Sequence, residues 1–264
     1  MPALPSAYEG VNDLPRLLIF RVSHYSEKAR WALDHKRIPY QLEALLPGLH
    51  SKRVRAVAKG SCVPVLLHRE RVVQGSAEIL SYLEQEFEGP ALLPADASAA
   101  REALDWQKLL DSELGEPARR VAYHYALTSP SFTIPLYAQG GPWWAAPLYR
   151  LSFSRVVKVV RKMYDITEAN VALDLQRLRQ VFQRVDARLA QQPRLAGQTF
   201  SLADLTLASL AAPLIFPSGH PTLWPSRELL PPELQELIRE FRDTATADYV
   251  MDLYRQRAPS AAVV

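Results

Sequence analysis

The run LLIF (Leu17–Phe20) is apolar and of strand length. In SEKARWALDHK (Ser26–Lys36) the residues Ala29, Leu33 and Trp31 can share an inward face and Ser26 can cap the first turn, so a helix is predicted there. Pro39 ends it, YQLEAL alternates as a strand does, and PGLHSKRVRAVAKGS reads as an irregular helix. VPVLL (Val63–Leu67) and RVVQ flank the three-residue turn HRE and predict a hairpin, although the turn lacks the usual Gly or Asn. SAEILSYLEQEF (Ser76–Phe87) spaces Ile79, Leu80, Leu83 and Phe87 at helical intervals. Strand, helix, strand, helix, strand, strand, helix makes one compact α/β unit of roughly 75 residues.

EGPALLPADAS (Glu88–Ser98), with two prolines and a glycine, reads as a linker. Beyond it the pattern is helical almost throughout. Val171, Leu175, Leu178, Phe182, Val185 and Leu189 form one apolar stripe. SPSFTIPLYAQGGPWWAAPLY, rich in proline and aromatics, is predicted to be a loop lying against something. PPELQELIREFRDTATADYVMDLYRQR is predicted as one final helix entered through proline. In FSLADL, Ser201 can cap a helix, Asp204 can answer its backbone N–H, and Phe200 and Leu205 can staple the entry.

Composition narrows the class. The chain has 264 residues, 48% of them apolar, enough to bury a sizeable core. Lys and Arg number 31 against 28 Asp and Glu, and a net charge of +3 gives no argument for nucleic acid or an anionic membrane as a partner. One cysteine, Cys62, excludes an internal disulfide and fits a reducing compartment. MPALPSAYEGVNDLPR has neither the basic start nor the apolar centre of a signal peptide, and no run of about 18 apolar residues suggests a membrane span. A cytoplasmic protein is expected. The six histidines show no metal-ligand spacing, so no metal is expected.

Four segments carry a resemblance. SHYSEKARWAL is similar to a Ser/Cys-Pro-Phe-x-x-(Lys/Arg)-x-Arg helix start, and GSCVPVL to a Gly-x-Val-Pro-x-Leu strand entry. QGSAEILSYLE is similar to Glu/Gln-Ser-x-x-Ile-x-x-Tyr-Leu, and LAGQTFSLADLTLASL to Ala-Gly…Ser-x-Ala-Asp. Together, in this order, they resemble the cytosolic glutathione transferase family, in its serine-type and bacterial-like form, over about Leu17 to Arg257. The resemblance implies a thioredoxin-like α/β domain followed by an all-α helical-bundle domain. It divides the chain into an N-terminal extension (1–14), a glutathione-binding domain (15–90), a linker (91–98), a helical domain (99–258) and a tail (259–264). Glutathione is then the co-substrate, a small hydrophobic electrophile the second substrate, and a homodimer the implied assembly.

Such a site must make a thiol nucleophilic. A thiol of pKa near 8.5 is only a few per cent thiolate at neutral pH, and lowering it by two units needs roughly 2.7 kcal/mol of preference for the anion. A hydroxyl donating to the anion supplies on the order of 1.5–3 kcal/mol and a helix N-terminus on the order of 0.5–1 kcal/mol more. The resemblance puts Ser23 at the catalytic position, with Tyr25, Ser26 and His24 as alternates; each also has a structural reading as a cap or a packed side chain. His24 stands where the family has proline, and a histidine can titrate near neutral pH. Val63, before a Pro64 that is cis in the family, would meet the cysteine of glutathione through its backbone. Gly75 and Ser76 would meet the γ-glutamyl carboxylate at a helix start. Gly75 departs from the family's acidic or amide residue, which Gln74 could replace. Lys52 and Arg53 could reach a carboxylate of the tripeptide. Cys62 reads as a small packing residue. Tyr123, Tyr125 and Trp143, with Phe132 and Trp144, are candidates for the wall of the second-substrate pocket, and the basic run Arg155–Lys162 reads as a solvated helix face. A glutathione-dependent peroxidase and a non-catalytic binding protein of the same fold are the alternatives; a thiol–disulfide enzyme fits poorly because Cys62 is misplaced.

Overall fold

The structure, a computed structural model, describes residues 14–263. Most of the N-terminal extension, on which the signal-peptide reading rests, lies outside the described residues. The strands are β1 (Arg16–Ile19), β2 (Tyr40–Ala44), β3 (Val65–His68), β4 (Arg71–Gln74) and β5 (Ala262–Val263), in the sheet order β4-β3-β1-β2-β5. β1 runs parallel to β2 and antiparallel to β3; Leu17 sits between Leu42 and Leu66. β1 is central and buried on both faces, which is why it reads as an unbroken apolar run. Leu17 and Ile19 join the main core, while Leu18 packs with Val54 and Val65 on the other side.

The helices of the first unit are α1 (His24–His35), α2 (Ser51–Arg55) and α3 (Ser76–Glu86). Ala29, Trp31 and Leu33 all face inward on α1, as do Ile79, Leu80 and Leu83 on α3. The hairpin turn between β3 and β4 is two residues, Arg69 and Glu70, with Arg69 at φ 53°. The left-handed geometry is supplied without the Gly or Asn that usually marks it.

The rest is helical: α4 (Ala97–Leu110), a wide π-helical turn (Asp111–Gly115), α5 (Glu116–Ala126), α6 (Pro130–Ala138), α7 (Ala145–Met163), α8 (Glu168–Leu189), α9 (Leu202–Ile215), α10 (Pro232–Arg242) and α11 (Ala245–Gln256). α4 begins inside the stretch predicted as linker, with Asp96 as its cap. Two predictions are corrected. The proline-rich stretch is mostly helix: Pro130 occupies the first turn of α6, where no N–H is needed, and Pro135 is accommodated inside the same helix. The final helix is two, broken where the Thr244 side chain accepts from the N–H of Ala247 and starts α11. The tail returns to the sheet as β5, parallel to β2.

α9 is the centre of the fold. Thirteen of its fourteen residues are buried, and α1, α4, α5, α10 and α11 pack around it. A helix apolar on all sides is a buried one. Its start is a full capping box: Ser201 Oγ accepts from Ala203, and Asp204 accepts from Ser201 N at 2.9 Å. Asp204 also accepts from Leu195 N at 3.0 Å and from the Tyr249 hydroxyl at 2.6 Å. Phe200 stacks on Trp31, tying this entry to α1.

Candidate functional site

The chain leaves β1 and enters α1 through Ser23, not Ser26. Ser23 has extended backbone, and its Oγ accepts from Ser26 N at 3.2 Å, so it is the N-cap. Ser26 is a buried first-turn residue whose own hydroxyl has no partner among the described residues. Ser23 faces a cavity of about 360 Å³ between the sheet unit and the helices. Its walls are chiefly apolar, with Val22, Tyr123, Phe132, Tyr137 and Phe216 among them. The cap uses one lone pair of the Ser23 hydroxyl and not its proton, and no acceptor takes that proton among the described residues.

The two residues after Ser23 are committed to the helical part. His24 Nε2 lies 2.9 Å from the Gly115 carbonyl oxygen, and the Tyr25 hydroxyl donates to the Asp111 carbonyl at 2.7 Å. Gly115 permits this approach: a Cβ there would collide with Tyr25 Oη and crowd Leu210. Burial, aided by the positive charge of Arg119, pushes His24 down to about 3. It is therefore a neutral anchor and not a group titrating near neutral pH. Burial pushes the Tyr25 phenol up, which leaves it no source of a phenolate at neutral pH.

A second cleft of about 470 Å³ lies on the other side of Tyr25, Val63 and Arg119, which line both. The Val63–Pro64 bond is cis. Gly75, at φ 110°, is the N-cap of α3, and Ser76 is its first helical residue rather than the cap. The Glu78 carboxylate folds back to where a side chain on residue 75 would begin. Gln74 is not free to substitute for Gly75: its amide accepts from Gly60 N at 3.1 Å and donates to Cys62 O at 2.8 Å. At the back of the cleft, buried Lys28 donates to both oxygens of Asp111, at 2.7 and 2.8 Å. Burial lowers the Lys28 ammonium and raises the Asp111 carboxyl, each opposed by the other's charge. The Arg119 guanidinium lies 4.4 Å from the Tyr164 ring centroid and 5.7 Å from that of Tyr25.

Other sequence candidates fall elsewhere. Arg53 is held by Glu43 through two bonds of 2.6 and 2.7 Å, and Lys52 is exposed; neither lines a cleft. Cys62 is exposed on the apolar cavity instead of packed. Tyr123 and Phe132 line that cavity, whereas Tyr125 and Trp144 do not, and Trp143 is 87% exposed. Sequence reasoning missed Arg119, Tyr137, Phe216 and Trp224. No local pattern marks them, because each reaches the cavity from a different helix or loop.

Residues 17–91 match the family model described as glutathione S-transferase, N-terminal domain. Over this stretch the chain is similar to the glutathione S-transferase N-terminal domain. A probable glutathione S-transferase of Nicotiana tabacum is 33% identical over 100 residues, 38% of this chain and 45% of that protein. A stringent starvation protein A homolog of Haemophilus ducreyi is 30% identical over 95 residues, 33% of this chain and 44% of that protein. The chain thus spans less than half the length of these curated relatives. Among solved structures, the β-etherase LigF from Sphingobium sp. strain SYK-6 superposes with a TM-score of 0.59 at 21% identity, over 90% of this chain and 98% of that one. That similarity shows the same fold in both parts of the chain.

Proposed function

We propose that the protein is a glutathione transferase that conjugates the tripeptide's thiolate to a small apolar electrophile. Glutathione would lie along the second cleft, paired through the Val63 backbone beside Pro64, with its γ-glutamyl carboxylate at Ser76 and the Gly75 turn. Its sulfur would meet Ser23 at the mouth of α1, and the electrophile would occupy the apolar cavity against Tyr123. The observation that carries this reading is the Ser23 hydroxyl, which accepts from Ser26 N and keeps its proton for an anion while facing an apolar cavity. The helix end adds its positive dipole, and confinement of two reactants side by side supplies much of the rate. The reading extends to a cytoplasmic homodimer acting in detoxification.

A second reading, a non-catalytic binding protein of the same fold, is favoured by Glu78. Its carboxylate lies beside the start of α3, where it opposes a second anion. A glutathione peroxidase would use the same Ser23. Titration calorimetry with glutathione separates binding from non-binding; heat followed by conjugation of a model electrophile supports the transferase. Absence of heat at millimolar ligand sinks the transferase and the peroxidase together, while binding and peroxide reduction without conjugation selects the peroxidase.

A further inference from the structure

From Pro117 to Tyr164 the chain contains seven Lys or Arg and no Asp or Glu. The net charge of +3, spread over all 264 residues, conceals this local excess. α7 lies in this region and packs inward through Tyr149, Phe153 and Val156 against Ile134 and Tyr137 of α6. Its outer face repeats every three or four residues: Trp144, Leu148, Leu151, Arg155, Lys158 and Lys162 are all exposed. The turn before it carries Trp143, 87% exposed, and Leu151 is 89% exposed. One half of the face is thus apolar and aromatic, the other cationic. Arg155, Lys158 and Lys162 have no ion-pair partner among the described residues.

We propose that the α6–α7 turn and the outer face of α7 seat the protein on an anionic bilayer surface. Trp143 and Trp144 have amphipathic rings suited to the headgroup boundary, Leu148 and Leu151 enter the acyl layer, and the three cations lie against lipid phosphates and carboxylates. Charge and exposure choose this occupant. A nucleic acid would answer the cations but leave the leucines and Trp143 in water. A second copy would bring two unneutralised cationic helices together. No described helix is long and apolar enough to cross a membrane, so the contact is peripheral. The same two helices carry Tyr137 and Met163 on the apolar cavity wall, so the seat brings that cavity near the bilayer.

The test is co-sedimentation of the full chain with phosphatidylserine–phosphatidylcholine vesicles and with phosphatidylcholine vesicles alone. Pelleting is expected with the former, falling as salt rises, and much weaker with the latter. Each cation near an anionic surface strengthens binding roughly fivefold, so Arg155→Gln with Lys158→Gln should cost roughly 25-fold. Trp143→Ser with Leu151→Ser should also release the protein; all four side chains are exposed, and an unchanged melting temperature confirms the fold. The proposal is overturned by any of four results. These are no pelleting with the mixed vesicles at low salt, equal pelleting with neutral vesicles, wild-type pelleting of both double variants, and tighter binding to duplex nucleic acid that the Trp143→Ser/Leu151→Ser change leaves intact. A lipid-free doubling of mass abolished by that same change assigns the face to a second copy and also overturns it.

Discussion

His24 Nε2 and the carbonyl oxygen of Gly115, 91 residues apart, lie 2.9 Å from each other and join the first turn of α1 to the π-helical turn after α4. The imidazole is neutral in this position, donating its Nε2 proton. Below pH 6.5 the unfolded chain takes up a proton that the folded chain refuses until about pH 3. The unfolded state then binds more protons, so stability falls as pH drops through that window, by about 1.4 kcal/mol per pH unit for one histidine. Urea unfolding at pH 7 and pH 5 should show a loss of about 2 kcal/mol from His24. His220, buried against Trp224 and Tyr254 and likewise pushed down to about 3, should act in the same direction. His24→Gln keeps a donor for Gly115 without the titration, so its pH dependence should be shallower by one proton. An unchanged slope would mean that His24 is charged in the fold.

Replacing Ser23 with alanine removes two things. The cap of α1 is lost, worth about 1 kcal/mol of stability. The donor to the thiolate is lost as well, which should raise the bound thiol's pKa and slow conjugation roughly 10- to 100-fold at neutral pH. Ultraviolet titration of the thiolate and rates at saturating glutathione check this. A lower melting temperature with wild-type rates would leave Ser23 as a cap alone.

Gly75 combines φ 110°, ψ 143° with a Cβ position taken by Glu78. Gly75→Ala should therefore cost about 1–3 kcal/mol from the backbone alone. Adding Glu78→Ala should recover the part due to collision and leave the backbone part. Denaturant midpoints of the single and double variants separate the two; full recovery would show that the backbone conformation carries no penalty.

Asp204 is fully buried and receives the N–H groups of Leu195 and Ser201 and the Tyr249 hydroxyl. The Ser201 hydroxyl donates to it as well, at 3.1 Å, so Asp204→Ala orphans all four donors under the central helix, with an expected loss of at least about 3 kcal/mol. Asp204→Asn should lose less, since its carbonyl still accepts. Equal losses in the two variants, measured by urea unfolding, would mean the site responds to charge and not to donor satisfaction.

What could be read from the chain was local. LLIF, the stripe of α8 and the Ser201–Asp204 box each carry their instruction within a few residues, and each forms the expected element. The cap of α1 stays open between Ser23 and Ser26 in the sequence, because they offer the same hydroxyl three residues apart and only the backbone turn chooses Ser23. The α6 helix was hidden because proline counts as a breaker: Pro130 falls in the tolerated first turn, but Pro135 stands inside the helix, among the buried Phe132, Ile134, Leu136 and Tyr137 whose packing no local pattern announces. In the candidate site, Ser23, Val63 and Ser76 were recognisable from their segments. The cavity wall was not: Trp143 and Tyr123 are both aromatic candidates, but Trp143 lies in the exposed turn before α7 while Tyr123 lies on α5 facing the cavity, and Arg119 enters from a helix with no motif of its own.

The end of the chain completes the beginning. Arg257, just past α11, pairs with Glu27 and, at 2.8 Å, with Asp34, two buried carboxylates on α1, while Ala261 N donates to Asp34 at 2.9 Å and β5 covers the open edge of β2. A fragment cut after α3 would expose that edge to strand pairing with other molecules and leave two acids in the interior without their counter-ion. The stretch that matches the glutathione S-transferase N-terminal domain is thus not a self-sufficient unit of folding here, and soluble pieces should be sought only among designs that carry the last dozen residues along.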